Sequence, residues 1–512
     1  MHKTSNKYIS NLFAICAVIA YIILNQGGYF AGGIISAGLI ISLVMIRSKI
    51  QIKVTDVIFF VFGIWYLFCS LKPGFDIRYM AKGLLPIICL LFKFLLPHNQ
   101  DDKKAILKKI IVISFYITVL AIFIGIYFSL TSMRLRRLTF PFQYANTSGI
   151  FFGVMFILSR YMEFEWAKKR QYVFFAGLIL TQSVGAIGLT VLAEILLSRN
   201  LKRTLAILVI LLIGAIVLKG RVYQSIGTFI ERFLHIYDGL LCVADNALFG
   251  IGAGRWELYK NLYQTGFYDA REIHSSIVQI AVDSGFIGIG AFAISFIYAI
   301  KKTLFSGKVY FIAVLMILLH SCLDFTLTFT AMGFLIMILF SCGEDTSRKL
   351  TLLKKGVVIP VACVFAVMFS VLSCGMYQIK KLDGINITKR YSAYIHYYDT
   401  NILSQKSVKT KENYAKALYA TGHKDMCLNV LENMDVLSTD MIILEKGCIG
   451  NWKGTINYLD EQPYNKNLYK TVFYNCNDES LQKQTKDMLD EAISSMSYLG
   501  KILFKFKGEE IL

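Results

Sequence analysis

Residues 246–257 read N-A-L-F-G-I-G-A-G-R-W-E, and residues 271–290 read R-E-I-H-S-S-I-V-Q-I-A-V-D-S-G-F-I-G-I-G. A glycine-punctuated loop gives way here to a long apolar helix, and His274 stands where the two meet. An apolar run of that length belongs in a bilayer. A histidine at such a mouth can bond a polar loop on one side and a ligand on the other, and it titrates near neutrality. It can equally serve to tie the loop down.

The flanking chain is of the same apolar material. Of 512 residues, 55% are hydrophobic, and the formal charge is +20. That balance excludes an ordinary soluble protein. From Ile379 onward 18 basic and 17 acidic residues nearly cancel, so an excess of about +19 falls on the first 378 residues. Basic residues there lie between apolar spans, where they report orientation, and form no stripe of the kind that binds nucleic acid. The 11 cysteines show no C-x-x-C spacing and imply neither disulfides nor a metal site. The apolar run after Tyr8 leads straight into a second span without an A-x-A site, unlike a cleavable signal peptide.

Predicted spans before the quoted stretch are 8–24, 28–46, 57–71, 79–96, 110–130 and 147–159. Residues 172–198 decide the topology. Read as two short spans broken at Thr181-Gln182-Ser183-Val184-Gly185, they put Arg199, Lys202 and Arg203, and the later basic loops, on one face. Read as one span, they move those loops outside, against the positive-inside bias. The break is therefore expected. Spans 205–218, 275–300, 309–325, 329–342 and 356–377 complete a set of 13. The expectation is an all-α, polytopic membrane helical bundle over 1–378. Its N-terminus lies in the cytoplasm, and a long loop at 219–273 lies outside.

Residues 379–512 are predicted as a small extracytoplasmic helical domain. N-Y-A-K-A-L-Y-A-T-G-H-K-D-M-C-L-N-V-L-E and I-I-L-E-K-G-C-I-G-N-W-K-G-T-I-N-Y-L-D-E align at a 28-residue offset, His423 onto Asn451. Each reads helix, small-residue turn, helix, a degenerate tetratricopeptide-like repeat. It is either a partner or polymer surface or a small helical cap.

Several residues carry chemistry. Arg136, Arg137, Arg221, Arg232, Arg255 and Arg271 fall on the outer side, where positive charge is usually sparse. Guanidinium binds phosphate bidentately, so such a ring suits an anionic ligand, with lipid headgroups as the simpler alternative. Gly250, Gly252 and Gly254 lack the preceding strand that a dinucleotide or P-loop site needs. They suit a tight backbone path beside a substrate. His320 and Asp324, at i,i+4, share a helical face as an orienting or a structural pair. Asp283, two turns below His274, is a candidate for the same cavity, and Glu194 is expected to pair with Arg199. No H-E-x-x-H or D-x-D cluster and no nucleophile elbow occurs, so no metal or cofactor is expected.

Four stretches in order, R-R-L-T-F-P-F-Q-Y-A-N-T-S-G, D-N-A-L-F-G-I-G-A-G, H-S-S-I-V-Q-I-A-V-D-S-G-F-I-G and H-S-C-L-D-F, resemble the O-antigen ligase and O-antigen polymerase family. The resemblance covers roughly residues 136–342. It implies a metal-independent, integral-membrane glycosyltransferase of bacterial cell-surface polysaccharide biosynthesis. Such an enzyme takes a glycan from undecaprenyl pyrophosphate at the outer face of the cytoplasmic membrane and passes it to a hydroxyl on a glycan, lipid or protein acceptor. By the same resemblance His274 is the catalytic histidine, and Arg137 and Arg232 hold the donor pyrophosphate. The family often has Ser-Arg-Gly near the helix break, where this chain has Ser183-Val184-Gly185. Either Arg136 or Arg255 substitutes, or the donor site differs. An exporter of lipid-linked glycan is the rival reading, although transporters often show paired halves that this sequence lacks. A membrane-anchored scaffold is a third, and it leaves the arginines and the His-Asp pair without a role.

Overall fold

The computed structural model describes residues 2–72, 74–134, 136–198, 219–304, 307–343, 349–450, 452–508 and 511–512. The chain is all-α. Helices α1 (His2–Leu24), α2 (Ala31–Met45), α3 (Val54–Leu71), α4 (Ile77–Gly83) and α5 (Leu85–Leu95) come first. They are followed by α6 (Gln100–Thr131), α7 (Ala145–Tyr161), α8 (Glu165–Thr181) and α9 (Val184–Leu197). Four helical stretches are long and apolar enough to cross a membrane: Val54–Leu71, Gln100–Thr131, Ser276–Lys301 and Lys355–Ile387. Six further apolar helices among the described residues are shorter. The predicted span at 205–218 and the charges Arg199, Lys202 and Arg203 lie outside the described residues.

One apolar core joins these helices, and α7 runs through it with every residue from Ala145 to Ser159 buried. A helix apolar all round belongs in such an interior. The only sheet among the described residues is a two-stranded clip, Gln51–Lys53 antiparallel to Lys349–Leu352.

The chain breaks where the polar run predicted it. Gln182 takes a left-handed φ of 52° after Thr181, and α9 restarts at Val184. Leu138 N–H bonds the Leu180 carbonyl at 2.9 Å, so the neighbouring loop satisfies a helix end that would otherwise be orphaned. Glu194 pairs with Arg160 at 2.9 Å, a span away from the expected Arg199.

Residues 219–273 are not an open loop. They contain α10 (Lys219–Asp245) and α11 (Trp256–Tyr263), and α12 (Ser276–Leu304), α13 (Lys308–Ser321), α14 (Thr330–Cys342) and α15 (Lys355–Ile387) follow. The glycine run between α10 and α11 docks backbone to backbone against a break in α12 at Gly285, where φ is 66°. Ile251 and Gly252 N–H groups bond the Val282 and Asp283 carbonyls at 2.9 and 3.0 Å, and Phe286 N–H bonds the Ala247 carbonyl. A Cβ on Gly250 would stand 2.3 Å from the Val282 oxygen, and one on Gly285 2.4 Å from the Leu248 carbonyl. The glycines serve this close approach between two stretches of main chain. Only Gly254 also borders open space, against Lys82.

The tail forms helical hairpins. In Val408–Ala420 with Lys424–Glu432, and in Thr439–Ile449 with Lys453–Glu461, the turn glycines Gly422 and Gly450 share φ values of 87° and 88°. They stand 28 residues apart, the offset read from the sequence. Helix α15 runs unbroken across position 378, and Phe267 of the 219–273 segment joins the tail's apolar core. Tail and segment meet again where Ser497 N–H bonds the Thr265 carbonyl at 3.1 Å. Phe506 stacks on Tyr223, and Lys507 pairs with Glu231.

Candidate active site

His274 sits in the short link before α12, and the link is fixed by the turn after α13. Ser276 donates both its N–H and its hydroxyl to the Asp324 carbonyl, at 3.0 and 2.9 Å, and Leu327 N–H returns a bond to the Ser276 hydroxyl. This brings the buried Asp324 carboxylate beneath the imidazole.

That carboxylate is the hub. One oxygen accepts from Tyr144 OH at 3.1 Å, Asn146 Nδ2 at 2.9 Å and Arg232 Nη2 at 3.1 Å, and the other accepts the Phe325 N–H at 2.9 Å. His274 Nδ1 is 3.5 Å from Tyr144 OH and 4.0 Å from Asp324 Oδ1, with the side chain 24% exposed. The ring lies between two others: His235, stacked at 5.1 Å, and Phe325 at 5.2 Å. Arg137 stands one shell further out, donating to the Asn146 side-chain oxygen at 2.7 Å and to the Thr181 carbonyl at 2.9 Å. It thus occupies the helix break itself.

Burial lowers the His274 pKa below the usual imidazole value; Asp324 opposes that shift and Arg232 reinforces it. His235, fully buried, is held well below that value by burial and then by His274. Burial thus favours the neutral form of both rings. Among the described residues the His235 ring nitrogens have no hydrogen-bond partner; Glu231 lies 3.9 Å away. One turn on, burial raises Asp238 to about 6 while it accepts from Thr265 and Tyr268.

The expected site residues separate. His274, Asp324, Arg232 and Arg137 converge. Arg136 is exposed beside them in sequence, and its backbone N–H bonds the Ser129 hydroxyl. Arg255 does not join: it is 3% exposed, donates to the Gly74 carbonyl at 3.1 Å and lies over the Tyr79 ring. It thus lies away from the break at Gln182, beside Gly74 and Tyr79.

His320 and Asp324 are not a pair. Helix α13 ends at Ser321, so the i,i+4 geometry is lost; His320 Nδ1 bonds Thr326 Oγ1 at 2.7 Å while Asp324 turns to His274. Asp283 is engaged by Tyr66 OH at 2.5 Å and Gln279 at 2.8 Å, and it lines a different, largely apolar pocket with Lys82 and Glu272. The expected glycine path beside a substrate is instead the backbone dock described above.

Sequence reasoning missed His235, Tyr144 and Asn146. Arg232, His235 and Asp238 follow one another at i,i+3, which marks a single helical face once the segment is read as helix. Among the described residues no three His, Cys, Asp or Glu side chains converge to hold a metal ion.

The arrangement offers a neutral base backed by a buried carboxylate, with two guanidinium groups on the same network. The sequence matches no protein-family model, and no curated protein is significantly similar to it.

Proposed function

We propose that this chain is an integral-membrane glycosyltransferase of the O-antigen ligase and polymerase type. In this reading the helices form a polytopic bundle in the bacterial cytoplasmic membrane. The 219–273 segment and the tail lie on the outer side, and a glycan passes there from undecaprenyl pyrophosphate to an acceptor hydroxyl.

The observation that carries the reading is the shared Asp324 carboxylate. It holds Arg232 and faces His274, so a proton acceptor and a diphosphate-binding cation are fixed relative to one another. With Nδ1 protonated and turned to Tyr144 and Asp324, Nε2 takes the acceptor's hydroxyl proton. The acceptor oxygen bonds to the anomeric carbon as the bond from that carbon to the diphosphate oxygen breaks. The leaving electron pair stays on the diphosphate, opposite Arg232, which spends Nη2 on Asp324 and presents a fork of further N–H donors. Arg137 adds its charge through Asn146.

The test is purified full-length protein with a lipid-pyrophosphate-linked oligosaccharide and an acceptor glycan, followed by mass spectrometry for a new glycosidic bond. Transfer by the wild type and none by His274→Ala is expected. Full activity in His274→Ala would sink the mechanism, and transport without bond formation would favour an exporter.

A further inference from the structure

A cavity of about 1560 Å3 lies between the tail and the apolar half. Small-molecule sites run to roughly 1,000 Å3, so this space is sized for an oligomer. Its floor is the turn after α1 and the outer ends of α4 and α15; its roof is tail residues such as Thr439, Tyr464 and Asn467.

Its electrostatics are distinctive by cancellation. Among the described lining residues, carboxylates and basic side chains occur in equal number. Most close on one another: Arg78 with Asp383 at 3.2 Å, Lys409 with Glu412 at 2.9 Å and Arg271 with Glu257 at 3.4 Å. A polyanion would find no uncompensated field here. What the walls still offer is tyrosine rings, at Tyr29, Tyr79, Tyr377 and Tyr464, and side-chain amides, at Asn25, Gln26, Gln143, Asn261 and Asn467. Rings that pack C–H faces, alternating with amides that donate and accept, suit an uncharged polyhydroxylated chain.

The cavity approaches the histidine without including it, with the buried His235 ring between them. Tyr268 lines the cavity, and its ring lies 4.2 Å from His235, which stacks on His274. Gln143 and Glu231, next in sequence to Tyr144 and Arg232, line it as well.

We propose that this chamber is the acceptor site: it holds several residues of a neutral oligosaccharide and presents the terminal hydroxyl at His274, with the tail as one of its two walls. The proposal rests on the glycosyltransferase reading for its direction, though not for the binding itself.

The experiment measures binding of fluorescently labelled neutral and uronic-acid-containing oligosaccharides, two to ten sugars long, to full-length His274→Ala in nanodiscs. Neutral chains should bind, more tightly with length up to several sugars, and their anionic counterparts no better. Tyr377 and Asn467 line the chamber from exposed positions, so their substitution spares the core. Tyr377→Ala should weaken binding about tenfold, the scale of a lost aromatic contact, while Tyr377→Phe keeps it. Asn467→Ala should weaken it less, and Ser373→Trp should block the longer probes. Preference for anionic chains, no neutral binding, or binding untouched by Tyr377→Ala and Ser373→Trp would overturn the proposal. Binding that behaves as expected in a protein that never transfers a sugar would leave the chamber standing and remove the enzyme reading. Transfer whose acceptor KM ignores Tyr377→Ala would do the reverse.

Discussion

Glu272 and His274 are two residues apart, yet they belong to opposite kinds of polar site. Glu272 is closed: Lys82 Nζ reaches its Oε1 at 2.5 Å and Tyr29 OH reaches the same oxygen at 2.9 Å, with the carboxylate 4% exposed. Each charge there has its partner, and the cluster fastens α4 and the turn before α2 to the 219–273 segment. Asp324 is equally buried, and its partners are no more exposed than Lys82, but the imidazole above it makes only long contacts, 3.5 Å to Tyr144 and 4.0 Å to Asp324, and so keeps its bonding capacity. A buried carboxylate with a cation is thus insufficient to mark a site. Reactive capacity left over after the internal bonds are made is what distinguishes one.

Mutation should separate the two most sharply at their centres. A general base contributes about 10²–10⁴-fold, so His274→Ala should remove nearly all transfer, measured as product per minute, with melting temperature and donor binding little changed. Lys82→Met should act on stability, because it strands Glu272 as a buried charge. Losing one partner of a buried pair costs about 3–5 kcal/mol, which thermal unfolding in detergent would register. If His274→Ala proves the unstable variant, the contrast collapses.

Asp324→Asn should lower transfer about tenfold by weakening charge-assisted bonds to Arg232 and His274. It should also move the pH profile in a definite direction. Burial lowers the His274 pKa, and the Asp324 charge pulls it back up. Wild-type transfer should therefore persist below the ordinary imidazole midpoint of about 6.5 and fall only at lower pH, as the ring protonates. Removing the Asp324 charge lowers the pKa further, so the acid limb should shift to still lower pH. A shift upward would show that Asp324 does not act on this ring. Arg232→Lys keeps the charge without the planar fork, so it should weaken donor binding by several-fold, by titration with a pyrophosphate lipid, and leave turnover measurable. The smallest expected change is from EDTA: none, in the same transfer assay.

Much of this was readable in the chain because local polarity dictates it. Thr181-Gln182-Ser183 offers side-chain oxygens that compete with a helix ladder, and the helix stops there. Gly422 and Gly450 adopt the left-handed turn that the repeat pattern required. His274, Arg137 and Arg232, each singled out in the sequence, stand on one hydrogen-bonded network around Asp324. What stayed hidden depended on partners distant in sequence. Asp324 looks like a partner of His320 only if the helix continues, and it ends at Ser321, three residues short of Asp324. Arg255 reads like the other arginines, because nothing local announces that the Gly74 carbonyl will receive it. Helix α10 carries its own periodicity, but a segment with few long apolar runs reads as loop.

Helix α15 is a single rod of 33 residues, about 50 Å at 1.5 Å per residue, and its only interior proline, Pro360, stands near the apolar end. Its far end carries the tail, which is held a second time where it docks on the 219–273 segment, so the tail is braced instead of hinged. Torque applied by a long chain dragging on the tail is transmitted down the rod to α2, against which Phe369 packs so closely that a Cβ on Gly38 would meet its ring at 2.3 Å. For the proposed acceptor chain the consequence is an exit along the open side of the chamber, because swinging the tail away would mean levering α15 from its packing against α2.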